Sequence, residues 1–129
     1  MDDVNFPKID DFDSAQILDM NKALKRVSYK KELLNRVLNI FRNNLLEKQK
    51  IIESGLKNKK WKDLRVISHG IKGSSWTIGA QQLGNVAFSL EKAADNEDYQ
   101  LYNHLFQIFK ICIESFIEFV EMKIPDINF

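Results

Sequence analysis

The stretch Ser68-His69-Gly70-Ile71-Lys72-Gly73-Ser74-Ser75-Trp76-Thr77-Ile78-Gly79 holds the side chains of this sequence best suited to chemistry. A neutral imidazole is a nucleophile near physiological pH, and its two nitrogens can take separate roles, one attacking while the other is held as a donor. Read as a helix at about 100° per residue, the segment puts Trp61, Leu64, Ser68, Ile71, Ser75 and Ile78 on a stripe that can face a core. The opposite face carries His69 with Lys62, Arg65, Val66, Lys72, Gly73 and Trp76. A glycine inside a helix costs about 1 kcal/mol relative to alanine. Gly73, at i+4 from the histidine, therefore points to something large that must approach the ring closely.

The run His69-Gly70-Ile71-Lys72-Gly73-Ser74-Ser75, followed by Ile78-Gly79-Ala80 and then Leu90-Glu91, resembles the signature of histidine-containing phosphotransfer (HPt) domains. The likeness comprises a histidine, a lysine at i+3, glycines at i+4 and i+10 and an acid at i+22, and the helical pattern extends it from Leu18 to the C-terminus. Domains of this family carry a phosphoryl group on one histidine between the aspartates of response-regulator receiver domains, and a similar module opens chemotaxis-type histidine kinases. The resemblance makes His69 the phosphoacceptor. It gives Lys72 the task of offsetting charge on the phosphoryl oxygens. Glu91, on a neighbouring helix, would accept the N–H of the non-attacking nitrogen and so fix the tautomer, as a carboxylate orients the histidine of a hydrolase triad. Family members usually have glutamine or glutamate there, and glutamate resembles the version phosphorylated directly by a kinase domain.

The same resemblance implies partners: a receiver domain, and a histidine kinase that is either separate or covalently fused to this module. Arg65, Val66, Gly70, Gly73 and Trp76 are the expected docking residues around the ring, since exposed apolar and aromatic side chains suit a transient contact. Trp76 has a second reading in which its ring folds over an adjacent helix; a small residue is commoner at this position in the family. No bound cofactor is expected. The chain lacks a phosphate-cradling glycine loop, an ATP signature and a carboxylate cluster for magnesium, so the metal is expected from the partner.

Composition narrows the alternatives. A chain of 129 residues with 44% hydrophobic residues and nine Phe fits one globular domain with its own core. A formal charge of +1, with lysines spread along the chain, gives no case for nucleic acid. One cysteine, Cys112, excludes an internal disulfide, and two histidines with one cysteine argue against a zinc cluster; a reducing, cytoplasmic setting is the expectation. No apolar run approaches the roughly 18 residues of a membrane span, and the acidic start is unlike a secretory leader. Cys112 reads as core, and His104, among apolar residues, as structural or merely exposed.

The elements that position His69 follow from apolar spacing. Residues 1–18, with Val4, Phe6, Pro7, Ile9, Phe12 and Ile17, read as an entry arm or the remnant of a linker. Asp19 caps a short helix over Met20 to Val27, broken at Ser28. A long helix is expected from Lys30 to Ser54, with Leu34, Val37, Phe41, Leu45 and Ile52 inward, widened by Leu33, Ile40, Leu46 and Ile51 and stopped by Gly55. Leu56 to Lys60 is then a connection, with Asn58 as cap of the histidine helix, and Gly79 ends that helix. A fourth helix over Ala80–Ala94 turns Leu83, Val86, Ala87, Leu90 and Ala94 inward. The last, over Glu97–Lys123, buries Leu101, Leu105, Ile108, Cys112, Phe116 and Phe119, and its outer face bears Phe106, Ile113 and Ile117, which can seat the arm. No strand pattern is sustained.

The expected fold is all-α: an antiparallel up-and-down four-helix bundle over residues 19–129, with a short accessory N-terminal helix. The expected function is relay of a phosphoryl group through His69 in two-component signalling. The alternative is a helical adaptor that docks receiver or kinase domains without taking phosphate. A metal-carrying bundle lacks the paired Glu and Glu-x-x-His ligands such a site needs.

Overall fold

The computed structural model describes residues 6–129. Val4, one of the expected arm residues, lies outside the described residues. A 3-10 turn at Ile9–Phe12 precedes five α-helices: α1 (Met20–Arg26), α2 (Lys31–Lys57), α3 (Trp61–Ile78), α4 (Gln81–Asp95) and α5 (Tyr99–Lys123). The described residues contain helix and connecting segments and no strand. Helix α3 packs most extensively on α4; α4 packs on α5, α2 packs on α3, and α5 returns to α2.

Local chemistry sets the helix ends. The Asp19 carboxylate accepts the Lys22 N–H at 3.1 Å and caps α1. Ser28 and Tyr29 both adopt left-handed φ, 54° and 60°, which breaks the chain between α1 and α2. Gly79 closes α3 at φ 95°, and a Cβ there would lie 3.1 Å from the Asp19 carbonyl oxygen. Asp98 caps α5 by accepting the Leu101 N–H.

The C-terminal end of α2 departs from the sequence expectation. Gly55 does not stop the helix, which continues to Lys57, and Leu56 is a buried core residue rather than part of the connection. Gly55 serves packing instead: a Cβ on it would meet Leu64 Cδ2 at 3.1 Å, so its absence lets α3 approach α2. Asn58 caps the end of α2, its amide donating to the Ser54 carbonyl, and Lys60 begins α3 without a side-chain cap.

The core stripe of α3 is as spaced, with Leu64, Ser68, Ile71, Ser75 and Ile78 buried and Trp61 half-buried, edge-on to Tyr102. The five inward residues expected on α4 are all buried. On α2 the stripe is narrower than expected, because Leu33, Ile40 and Ile51 are exposed, while Leu38 is fully buried. On α5 Phe106 and Ile113, expected on a face that can seat the arm, are both buried, and Ile117 is partly buried. Helix α5 has a wide apolar face because it is covered by α4, by α2 and by the arm, while Asn103, Gln107, Glu114 and Glu118 form an exposed stripe. The Ser68 and Tyr102 hydroxyls share a buried hydrogen bond of 2.9 Å, and burial pushes the Tyr102 phenol up to about 12. Cys112 is buried as expected, and that burial raises its thiol to about 11.

The arm lies along α4 and α5. His104 Nε2 donates to the Pro7 carbonyl and its ring lies 5.2 Å from that of Phe6, so His104 is structural. Further along, the Gln16 carbonyl accepts the Gln82 N–H at 2.9 Å, supplying the cap that Ala80 cannot.

Candidate functional site

His69 stands in the middle of α3, on the face away from Ile71 and Ser75, and its side chain is 65% exposed. Helix α4 runs beside it and brings Glu91 across. His69 Nδ1 lies 2.9 Å from Glu91 Oε2, and Lys72 Nζ donates to Glu91 Oε1 at 2.7 Å. One carboxylate therefore serves both residues. With Nδ1 facing an anion, the favoured neutral tautomer carries its proton there, and Nε2 keeps a free lone pair.

The electrostatics agree with that geometry. Partial burial alone would raise the Glu91 carboxyl. The hydrogen bonds from Lys72 and His69, with their charge, outweigh it and hold the group below its ordinary 4.5. Lys72 is only 17% exposed and is committed to Glu91 in this state. To touch a phosphoryl oxygen it must share or leave that partner.

The expected docking residues fall into two groups. Val66 is exposed, and a Cβ added at Gly70 or Gly73 meets no atom within 4 Å, so neither glycine is demanded by internal packing. Arg65 lies close to Asp95 of α4, with Nε 3.6 Å from a carboxylate oxygen and both side chains about half exposed. Trp76 is also turned toward α4. Its Nε1 donates to Asn85 Oδ1 at 3.1 Å, and its ring occupies the place a Cβ of residue 84 would take, 2.1 Å from Cδ1. The ring keeps 36% exposure, so the fold-back reading of Trp76 describes its position and leaves one edge to solvent.

Sequence reasoning passed over three members of this neighbourhood: Gly84, Asn85 and Phe88. The available signal was the placement of Gly84 and Phe88 on the α4 face that also carries Glu91, at i−7 and i−3 from it; Asn85 lies to one side of that face. Among the described residues no group of three or more His, Cys, Asp or Glu side chains is placed to hold a metal ion.

A family model described as Hpt domain matches residues 36–119, nearly all of α2 to α5. The chain belongs to the Hpt-domain family. No curated protein and no solved structure is a significant match to it. Hpt domains serve phosphotransfer in two-component signalling, working with kinases and receiver domains, and the matched span contains His69, Lys72 and Glu91. No helix of the described Hpt chain is long and apolar enough to cross a membrane.

Proposed function

We propose that His69 is the phosphoacceptor of a phosphorelay and that its Nε2 is the reacting nitrogen. The observation that carries this is the Glu91 contact to Nδ1, which occupies one nitrogen of a largely exposed ring and leaves the other for chemistry. In the transfer, the Nε2 lone pair attacks the phosphorus of a receiver's aspartyl phosphate. The bond from phosphorus to the aspartate oxygen breaks, and the carboxylate leaves with its electron pair. The Nδ1 proton stays on the ring, where Glu91 stabilises the positive charge that develops. The reverse sequence on a second receiver passes the group on; with a kinase domain as donor, Nε2 would attack the γ-phosphorus of ATP held by the kinase and ADP would leave.

Lys72 and the docking residues complete the proposal. Lys72 lies one turn from the ring and can turn from Glu91 to a phosphoryl oxygen once Nε2 is charged. Val66, Gly70 and Gly73 form the low, open surface against which a receiver sits, with Arg65 and Trp76 at its α4 edge. Glu91, already accepting from the Lys72 ammonium and the His69 ring, is poorly placed to ligate magnesium as well, and the metal is assigned to the partner. The supporting scaffold is an antiparallel up-and-down bundle of α2 to α5, consistent with the short connections and the closed ring of helix contacts. The cytoplasm, where receivers act, is the proposed location.

The test is to incubate the chain with magnesium and a receiver charged by a small phosphodonor, following mass and acid lability for wild type and His69→Gln. Wild type should gain an acid-labile, base-stable phosphoryl group and His69→Gln none, with helicity and melting unchanged because the ring is exposed. Persistent label on the variant sinks the assignment. Failure of wild type to accept from a panel of charged receivers moves the phosphate-independent adaptor to the front.

A further inference from the structure

The α3–α4 surface below His69 carries an exposed aromatic pair that the core does not require. Phe88 is 39% exposed, and its ring centroid lies 6.0 Å from that of Trp76 at an interplanar angle of 59°. Two ammonium groups lie within reach of the Phe88 ring, Lys72 at 5.1 Å and Lys92 at 4.4 Å from its centroid. Lys72 is also 5.9 Å from the Trp76 ring. The negative face of an aromatic ring attracts a cation at such distances, an attraction worth more where water is partly excluded. Lys72 sits in that condition.

This wall is itself fixed. Gly84 has no Cβ, and Trp76 takes the vacated space while its indole N–H is tied to Asn85. Trp76 then backs Phe88. A lysine on its own is a flexible four-carbon stem with a mobile charge. Between two rings and a carboxylate 2.7 Å away, it has one place to rest.

We propose that Phe88 is a positioning residue of the phosphotransfer site: its ring, braced by Trp76, seats the Lys72 ammonium against Glu91 and so steadies the carboxylate that holds His69 Nδ1. The role deepens the phosphoacceptor reading and rests on it for its consequence in transfer, but the arrangement itself belongs to the unphosphorylated chain. Phe88 touches no reacting atom. It acts through Lys72 and Glu91, which are the groups that face Nδ1. Nearby, the Arg65 and Asp95 pair spans the same two helices about one turn away, and the Lys92 ammonium shares the Phe88 ring while the side-chain hydrogen bonds of Glu91 go to His69 and Lys72.

The experiment reads the His69 ring nitrogens by 15N NMR in the full, unphosphorylated chain, above the pH at which the imidazole is protonated. Wild type should show chiefly the Nδ1–H form. Phe88→Leu keeps apolar bulk and removes the aromatic face, and should lower the ratio of Nδ1–H to Nε2–H forms by about two- to fivefold, the size of a partly exposed cation–π contact. Phe88→Tyr keeps the face and should restore the wild-type ratio, and Lys92→Met should leave it unchanged. An unchanged ratio in Phe88→Leu overturns the proposal, as does an equal fall in Phe88→Leu and Phe88→Tyr. If the Phe88→Leu and Phe88→Tyr variants differ as expected yet the wild-type chain takes no phosphoryl group from any charged receiver, the relay reading fails and the positioning role stands.

Discussion

The two histidines of this chain are held by different partners through different nitrogens. His69 offers Nδ1 to a carboxylate on α4 and turns the rest of its ring to solvent. His104 gives Nε2 to the Pro7 carbonyl and lies against the Phe6 ring, half-buried beneath the arm. A carboxylate stabilises a ring that must carry positive charge; a backbone carbonyl only needs a donor. One contact prepares a nucleophile, and the other fastens a segment. Residue type alone does not separate them, whereas the identity of the acceptor and the space around the ring do.

Space is the sharper of those two criteria, and Gly73 tests it. Apart from its chain neighbours and the backbone of its own helix, no described atom lies within 4 Å of a Cβ at this position, so Gly73→Phe should fold normally. If a receiver must close over the ring, transfer should fall on the order of 100-fold, the scale of a reactant held away from attack geometry. Stopped-flow transfer from a charged receiver measures it, and an unchanged rate would show that this face is not the dock. Acceptor identity comes next. Glu91→Ala leaves Nδ1 without its acceptor and Lys72 without its anion, and should slow phosphoryl acceptance roughly 10- to 100-fold, as loss of an orienting carboxylate does elsewhere. Acceptance at the wild-type rate would reduce Glu91 to a packing residue.

The sequence made most of this scaffold legible because α3 and α4 each have one apolar stripe and one partner surface. Leu83, Val86, Ala87, Leu90 and Ala94 have helical spacing and are buried, and Gly79 turns the chain where its spacing put it. Periodicity was less informative on α5, where Phe106 and Ile113 formed a second apolar stripe. A stripe says that something covers it; the arm is the cover the sequence suggests, and the fold adds α2 and α4. Gly55 misled for a related reason: a glycine needed for close approach looks the same in sequence as one needed for a left-handed turn. His69, Lys72 and Glu91 are the residues that the resemblance to the HPt signature implies, and the structure brings them together. Phe88 was invisible because its role depends on where the Lys72 ammonium rests, a fact of two helices at once.

His104 should show the opposite phenotype to His69. His104→Ala removes the donor to the Pro7 carbonyl and the ring beside Phe6, so the arm loses an attachment to α5. The expected cost is about 1–2 kcal/mol, the range for one hydrogen bond and some lost packing. Denaturant unfolding should record it as a lower midpoint at constant slope, while phosphoryl acceptance at His69 stays at the wild-type rate. Loss of acceptance in a fully folded His104→Ala would break the division of labour between the two rings.

The smallest expected effect is on the acid side, and it too separates the two sites. Burial opposes ionisation of Glu91, but its bonds to Lys72 and His69 win, and the carboxyl titrates below its ordinary 4.5. A depressed carboxyl contributes stability that is complete above the unfolded value and is lost as pH falls through the folded one. The hold on Nδ1 should therefore persist at pH 4.5 and loosen only below it, as protonation removes the charge that attracts both cations. The Pro7 carbonyl gains no proton in that range, so the His104 attachment has no matching step. Carboxyl 13C shifts of Glu91 followed against pH give the midpoint directly. Lys72→Met removes the larger of the two opposing bonds while the burial remains, so it should move that midpoint up. A midpoint that does not move would mean that Lys72 and Glu91 are adjacent without being coupled.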